Sequence, residues 1–319
     1  MPVTLNFFHM GMSNMEVAAR FMGIYEAQFR GLEEAGAKVR FSLDRPEGTA
    51  DCVIVSASDV DMRRAAVETD RPMILYVPPM DQWLARGLLT EYRERILFAY
   101  GTAISEVTAA AYREVGIEYH YLPFAADPEL MRPLHLPAQY DVVFLGGLRH
   151  RRGYQPYVKP LLERIDPRRM LLIGGGWEKF GIPAQTLAYG PVVNVLYNLA
   201  RVSINFHAPE QGRGAEIQLD LNNRVFDLAM AGCVQVCDNP EAVRRHFGPT
   251  EVFAEATPEA WVARVLDCLA RPEEELAPMR AAARARALAE HTWAHRGRLF
   301  LSWIEHRMPL EPGATQTPP

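Results

Sequence analysis

"FAADPELMRPLHLPAQYDVVFLGGLRHRRG", residues 124–153, ends one pattern and starts another. Its first half is punctuated by Pro128, Pro133 and Pro137 and has no apolar period, which reads as a linker between domains. Its second half opens with "YDVVFLG" (140–146), a short apolar run ending in a glycine turn, as a buried strand does when it feeds a helix. The same alternation runs on both sides of the break. Upstream, the strand candidates are "VTLNFF" (3–8), "AKVRFS" (37–42), "DCVIVS" (51–56), "MILYV" (73–77), "ILFAY" (96–100) and "EYHYL" (118–122), with a helix over 15–35 carrying Val17, Phe21, Ile24, Tyr25, Phe29 and Leu32 at helical spacing. Downstream they are "YDVVFLG", "RMLLIG" (169–174), "TLAYG" (186–190), "RVSINF" (201–206), "CVQVC" (233–237) and "EVFA" (251–254), and the chain turns helical from 257 to about 306. Strands alternating with helices imply parallel α/β sheets, so the expected fold is two Rossmann-like domains. The expected boundaries are 1–132 and 140–285, a linker at 133–139, a C-terminal helix at 286–307 and a tail at 308–319.

Composition narrows the function classes. With 319 residues, 49% of them hydrophobic, the chain can bury two cores. A net charge of -5 argues against nucleic acid as a partner, because phosphate binding needs a broad basic face. The start, "MPVTLNFFHMGMSN", lacks the basic and apolar regions of a signal peptide, and no run reaches the roughly 20 apolar residues of a membrane span. Cys52, Cys233, Cys237 and Cys268 fall in strand and helix patterns and read as buried thiols. A cytoplasmic location is the expectation; membrane association is not indicated.

In doubly wound sheets ligands bind outside the carboxyl ends of strands. There the chain places "GGLRHRRG" (146–153), whose Arg149, Arg151 and Arg152 could hold an anion at a strand-to-helix turn or could form a solvated basic turn. "GGGW" (174–177) allows close backbone approach, with Trp177 either stacking on a ligand or packing. In "LNNRVFDLAMAGCVQVCDN" (221–239), Asn222 or Asn223 can cap a helix over about 223–231, an N-terminus led by Asn and Arg224 suits an anion, and Asp227 could accept hydrogen bonds from sugar hydroxyls. His291 and His295 stand at i, i+4 spacing without a third metal ligand, which reads as a surface helix.

These residues carry a resemblance. "YDVVFLGGLRHRRGY", "LYNLARVSINFH", "NNRVFDLAMAGCVQVCDN" and "ISEVTAAAYREVGIEYHYLPFAADPELMRPL" resemble segments of the GT-B glycosyltransferases, and among them the CgeB-like, spore-maturation group. The resemblance implies two Rossmann-like domains facing across a cleft, with the last helix crossing back onto the first domain. It implies transfer of a sugar from a nucleotide-diphosphate-sugar, held by the second domain, to an acceptor held mainly by the first. That acceptor could be a glycan, small molecule, protein or lipid-linked group. No cofactor and no metal are expected. By position, Arg152 falls where relatives keep a Lys on the donor diphosphate, with Arg149 beside it. Gly147 stands where the same turn usually has an Arg. Tyr189, Gly190 and Val192 fall where the backbone meets the base, Asn222, Asn223 and Arg224 near the donor phosphates and sugar, and Asp227 on a Glu that contacts the ribose. The E-x7-E pattern of many retaining relatives is not kept, since Leu219 stands eight residues before Asp227. His9 is the candidate base for the acceptor hydroxyl and Asp81 the second, while Gly11, Ser13 and Asn14 form a candidate acceptor loop. The alternatives are a catalytically silent nucleotide-sugar-binding or scaffolding protein and a nucleotide-sugar 2-epimerase.

Overall fold

The computed structural model describes residues 2–8, 15–77, 86–102, 106–147, 154–183, 187, 189–207 and 221–308, with backbone alone at 15–21, 86, 106 and 107. The chain divides into two compact units. The first comprises residues 1–18, 28–123 and 293 onward, and the second residues 19–27 and 124–292.

The first unit is built on six parallel strands: β1 (Thr4–Phe8), β2 (Lys38–Ser42), β3 (Cys52–Ser56), β4 (Met73–Val77), β5 (Ile96–Gly101) and β6 (Tyr119–Tyr121). Their order is β2-β1-β3-β4-β5-β6. Each coincides with an apolar run expected from sequence. In β3 every residue is buried, because helices cover both faces of a parallel sheet. The connections carry α1 (Met15–Glu34), α2 (Asp59–Glu68), α3 (Arg86–Glu91) and α4 (Glu106–Glu114). Ser58 starts α2 by accepting the Asp61 N–H on its side chain.

The second unit has five parallel strands: β7 (Tyr140–Leu145), β8 (Met170–Ile173), β9 (Ala200–Asn205), β10 (Gln235–Cys237) and β11 (Phe253–Ala254), in the order β11-β10-β9-β7-β8. The chain lays β8 on one side of β7 and then returns to lay β9 on the other, so the direction of winding reverses at β7. A ligand crevice is expected at the carboxyl end of that strand. The helices are α5 (Lys159–Leu162), α6 (Pro191–Asn198), α7 (Asn223–Met230), α8 (Pro240–Arg244), α9 (Pro258–Ala270) and α10 (Glu273–Glu290). In α7 every residue except Arg224 is buried, and the Arg284 guanidinium of α10 donates to Met230 O at its carboxyl end. On the other face of the sheet Phe144 stacks on Phe206, and Trp261 donates to Val236 O at 3.1 Å. All four cysteines are free and buried.

Three expectations are corrected. "TLAYG" does not form a strand at its described residues: β8 stays the sheet edge, and Leu187 and Tyr189 instead pack against the core beneath α6 and α7. The proline-rich stretch, expected as a linker between domains, lies within the second unit. Arg132 N–H donates to Asn194 Oδ1 and Leu134 N–H to Asn198 Oδ1, so two Asn one turn apart on α6 hold it to the second unit. The boundary accordingly falls at Pro123/Phe124. Finally, the helical run expected over 286–307 is broken. α10 stops at Glu290 and α11 (Trp293–Arg307) begins after His291 and Thr292, which are buried. Ala126 N–H donates to His291 O there, and the His291 ring packs against Phe226 and Phe247, which removes it from the helix of His295.

α11 belongs to the first unit, where Phe300 meets Phe98 and Tyr100 edge-on and Trp303 stacks on His120 at 4.3 Å. Gly297 allows its close approach to α1, since a Cβ there would lie 2.4 Å from Gly31 O. Among the described residues no helix is long and apolar enough to cross a membrane.

Candidate functional site

The carboxyl ends of β7 and β8 run into two glycine turns that touch backbone to backbone. A Cβ on Gly174, whose φ is +144°, would lie 2.3 Å from Gly146 O and 2.6 Å from Gly147 N. A Cβ on Gly147 would meet Gly175 O less tightly, at 3.2 Å. Glycine is required at Gly174 both by the backbone angle and by the space. The Trp177 indole donates to Gly146 O at 3.0 Å and is fully buried against Phe144. Trp177 is therefore a packing residue behind the turn, the second of the two readings its place beside the glycines allowed.

In front of these turns lies a cavity of about 590 Å³ within the second unit, lined by Gly146, Gly147, Gly174–Gly176, Glu178, Lys179, Leu187, Tyr189, Asn222, Asn223, Arg224 and Asp227 together with apolar neighbours. It sits where the winding reverses. Of the residues singled out from sequence, Gly147, Tyr189, Asn222, Asn223, Arg224 and Asp227 come together here. Gly190 precedes α6 as its N-cap residue, and Val192 is exposed on the first turn of that helix. His9, Gly11, Ser13, Asn14, Asp81, Arg149 and Arg152 lie outside the described residues.

Arg224 is fixed from three sides. Its Nε donates to Asn205 Oδ1 at 3.2 Å, its Nη1 donates to Leu145 O at 3.1 Å, and its guanidinium carbon lies 4.7 Å from the centre of the Phe144 ring. Gly146 leaves the room for it, because a Cβ there would fall 2.2 Å from Nη1. Burial draws the guanidinium pKa below its ordinary value, opposed by the fields of Tyr197, Asp238 and Asp227. Lys179, exposed after the second glycine turn, adds a further cation to the lining.

Asn222 occupies the N-cap position of α7 in extended conformation, yet its side chain makes no capping bond. It pairs instead with Asn205: Asn222 Nδ2 donates to Asn205 Oδ1 at 3.0 Å, and Asn205 Nδ2 donates to Asn222 Oδ1 at 3.1 Å. The expected cap is thus replaced by a bond across to β9. The first N–H groups of α7 are left without a side-chain cap, and these carry the positive end of the helix dipole.

Below the tip, Asp227 is 1% exposed and accepts from the Tyr189 hydroxyl at 2.8 Å and from Asn223 Nδ2 at 2.5 Å. Burial pushes its carboxyl up to about 8, against those two bonds and the Arg224 charge, which pull it down. Burial and the Asp227 carboxylate raise the Tyr189 phenol well above its ordinary value, so it stays a donor. Asn223 Oδ1 is buried and has no hydrogen-bond partner among the described residues.

The raised Asp227 value has a measurable sign. The folded value exceeds the unfolded one of roughly 4, so this group's contribution to stability is fully present below that pH and is lost as pH rises through about 8. Asp227→Asn, which cannot ionise, is expected to flatten the fall in stability between about pH 4 and 8. Urea midpoints across that range check it, and identical slopes in the two chains would contradict the buried-acid assignment.

Sequence reading did not single out Asn205, His207, Asp238 or Lys179. The signal was position: Asn205, His207 and Asp238 all stand at or just after the carboxyl ends of β9 and β10.

Residues 150–302 match the model of a glycosyl transferase-like family. No curated protein matches the chain by sequence. Among solved structures the chain is similar to HepE of Anabaena in complex with UDP-glucose, with a TM-score of 0.62 at 11% identity over 95% of this chain and 99% of that one. It is similar to T4 phage BGT in complex with its UDP-glucose substrate, with a TM-score of 0.61 at 13% identity over 97% and 100%. A third is the sucrose-phosphate synthase of Thermosynechococcus elongatus, with a TM-score of 0.61 at 12% identity over 96% and 99%. In fold, the chain is of the GT-B type: two parallel α/β units of the kind found in these glycosyltransferases.

Proposed function

We propose that the chain is a glycosyltransferase that takes its sugar from a nucleotide-diphosphate-sugar bound in the cavity at the ends of β7 and β8. The observation that carries this reading is the convergence of Arg224, Lys179 and the uncapped tip of α7 on one cavity bounded by bare glycine backbone. Glycosyl transfer builds charge on the departing diphosphate, and fixed donors aimed at that charge are the main means of lowering the barrier. Arg224 is held in place before the ligand arrives, with Nε and Nη1 engaged by the protein. Its remaining nitrogen and the α7 N–H groups are assigned to the phosphates. Asn223 Oδ1 and the Asp227 carboxyl are assigned to ligand hydroxyls, which would supply the partner that Asn223 Oδ1 lacks among the described residues.

On sequence grounds we add Arg149 and Arg152, which follow β7 in the sequence, to the diphosphate site, and we keep His9, then Asp81, as the base on the acceptor side. The motif at 221–239 favours the CgeB-like group. UDP-sugars are the first donors to try, because HepE and BGT are seen with UDP-glucose. The cations named above make a metal unnecessary in this reading, although BGT is also seen with UDP and Mn2+.

The test is a thermal-shift panel of UDP-, GDP-, ADP- and TDP-sugars, followed by detection of released nucleotide with and without EDTA. A donor present at about 100 times its dissociation constant stabilises the folded chain by roughly 2.7 kcal/mol. Stabilisation with nucleotide release that survives EDTA is the expected result. Stabilisation without release points to a silent binding protein, and no stabilisation by any member of the panel would overturn the assignment.

A further inference from the structure

Behind the tip of α7 lies a pair that has no part in the cavity lining. His207 follows β9 and Asp238 follows β10, and their side chains are only 9% and 10% exposed. Asp238 grips His207 twice, with Oδ2 accepting the His207 backbone N–H at 2.7 Å and Oδ1 lying 2.5 Å from ring Nδ1. On the far side of the ring the backbone N–H of Asn222 donates to Nε2 at 3.1 Å. A nitrogen that accepts a hydrogen bond carries no proton, so the ring's proton is on Nδ1, pointing at the Asp238 carboxylate.

We propose that Asp238 and His207 are positioning residues for the donor site: Asp238 selects the Nδ1–H tautomer, and His207 Nε2 then anchors Asn222 at the start of α7. The connection to the ligand is continuous. Asn222 is paired through its amide with Asn205, and Asn205 Oδ1 also accepts Arg224 Nε, so the same bonds that place the helix tip aim the guanidinium. The pair acts through Asn222 and Asn205. With the other tautomer, Nε2–H would face the Asn222 N–H, donor against donor, and the tip would have to move.

The inference rests on the donor-binding reading, and its test separates the two. Asp238→Asn keeps the size and one acceptor for the His207 backbone N–H, but it presents an NH2 group to Nδ1 and so reverses the tautomer. In the full chain, nitrogen-15 NMR is expected to show His207 protonated at Nδ1 in wild type and at Nε2 in Asp238→Asn, with the Asn222 amide resonance displaced. Affinity for whichever nucleotide sugar binds wild type is expected to fall by roughly tenfold to a hundredfold, the range for one charge-assisted bond. His207→Gln, whose side-chain carbonyl can still accept from Asn222, is expected to retain more affinity than His207→Ala at equal melting temperature. A purely structural role would instead make affinity track stability across the variants. If wild type binds no member of the panel, the donor reading fails while the tautomer and the Asn222 resonance still judge the relay. An Nε2–H ring in wild type, or an unmoved Asn222 amide in Asp238→Asn, overturns it.

Discussion

Gly174→Ala is expected to destabilise the second unit by about 3 to 5 kcal/mol, the largest stability effect of any single methyl group in the region of the site. The added carbon would meet backbone on the neighbouring turn, at 2.3 Å from Gly146 O and 2.4 Å from its carbonyl carbon, and backbone cannot swing aside as a side chain can. The φ of +144° is also one that an alanine adopts only under strain. At ~2 to 4 °C per kcal/mol for a domain of this size, the melting temperature should drop by roughly 10 °C. Gly175→Ala is the control, since a Cβ there meets nothing within 4 Å. It should change stability by no more than about 0.5 kcal/mol. Urea or thermal unfolding of the pair checks both, and a Gly174→Ala chain as stable as wild type would contradict the contact between the two glycine turns.

Arg224→Ala is expected to produce the largest loss of ligand binding. It removes the preset guanidinium and leaves Leu145 O without this donor, while Asn205 Oδ1 keeps its bond from Asn222. Loss of one charged hydrogen bond to a phosphate costs about 1.5 to 3 kcal/mol, a fall in donor affinity of roughly tenfold to a hundredfold or more. Arg224→Lys restores the charge but not the planar fork that reaches Asn205 and Leu145 together, so it should recover only part of the loss. Isothermal titration with the nucleotide sugar selected by the panel reads the effect. Unchanged affinity in Arg224→Ala would remove this residue from the site.

The strands of the first unit could be read from sequence because each is a short apolar run between turn signals, and a parallel sheet buried on both faces leaves just that trace. "TLAYG" carries the same trace, but its described residues Leu187 and Tyr189 pack against the core instead of pairing with β8, and sequence periodicity cannot tell a packed apolar run from a paired one. α7 was legible for a different reason: its apolar face and polar leading edge both sit in one continuous stretch. Its capping was not. Asn222 has the ordinary signature of an N-cap, and only the fold brings Asn205, 17 residues earlier, close enough to take its side chain instead. The same distance along the chain hid His207 and Asp238, which are 31 residues apart and meet because β9 and β10 are neighbours. Trp177 was ambiguous because an aromatic beside glycines fits a stacking platform and a packed turn equally well, and its burial decides for packing.

Hydrogen–deuterium exchange with and without the most stabilising nucleotide sugar measures the donor site directly. The expected result is slowed exchange in peptides covering the turns at 145–147 and 174–176 and the tip of α7 at 222–227, lost in Arg224→Ala. Protection confined to the first unit, with these three segments unchanged, would contradict the placement of the donor.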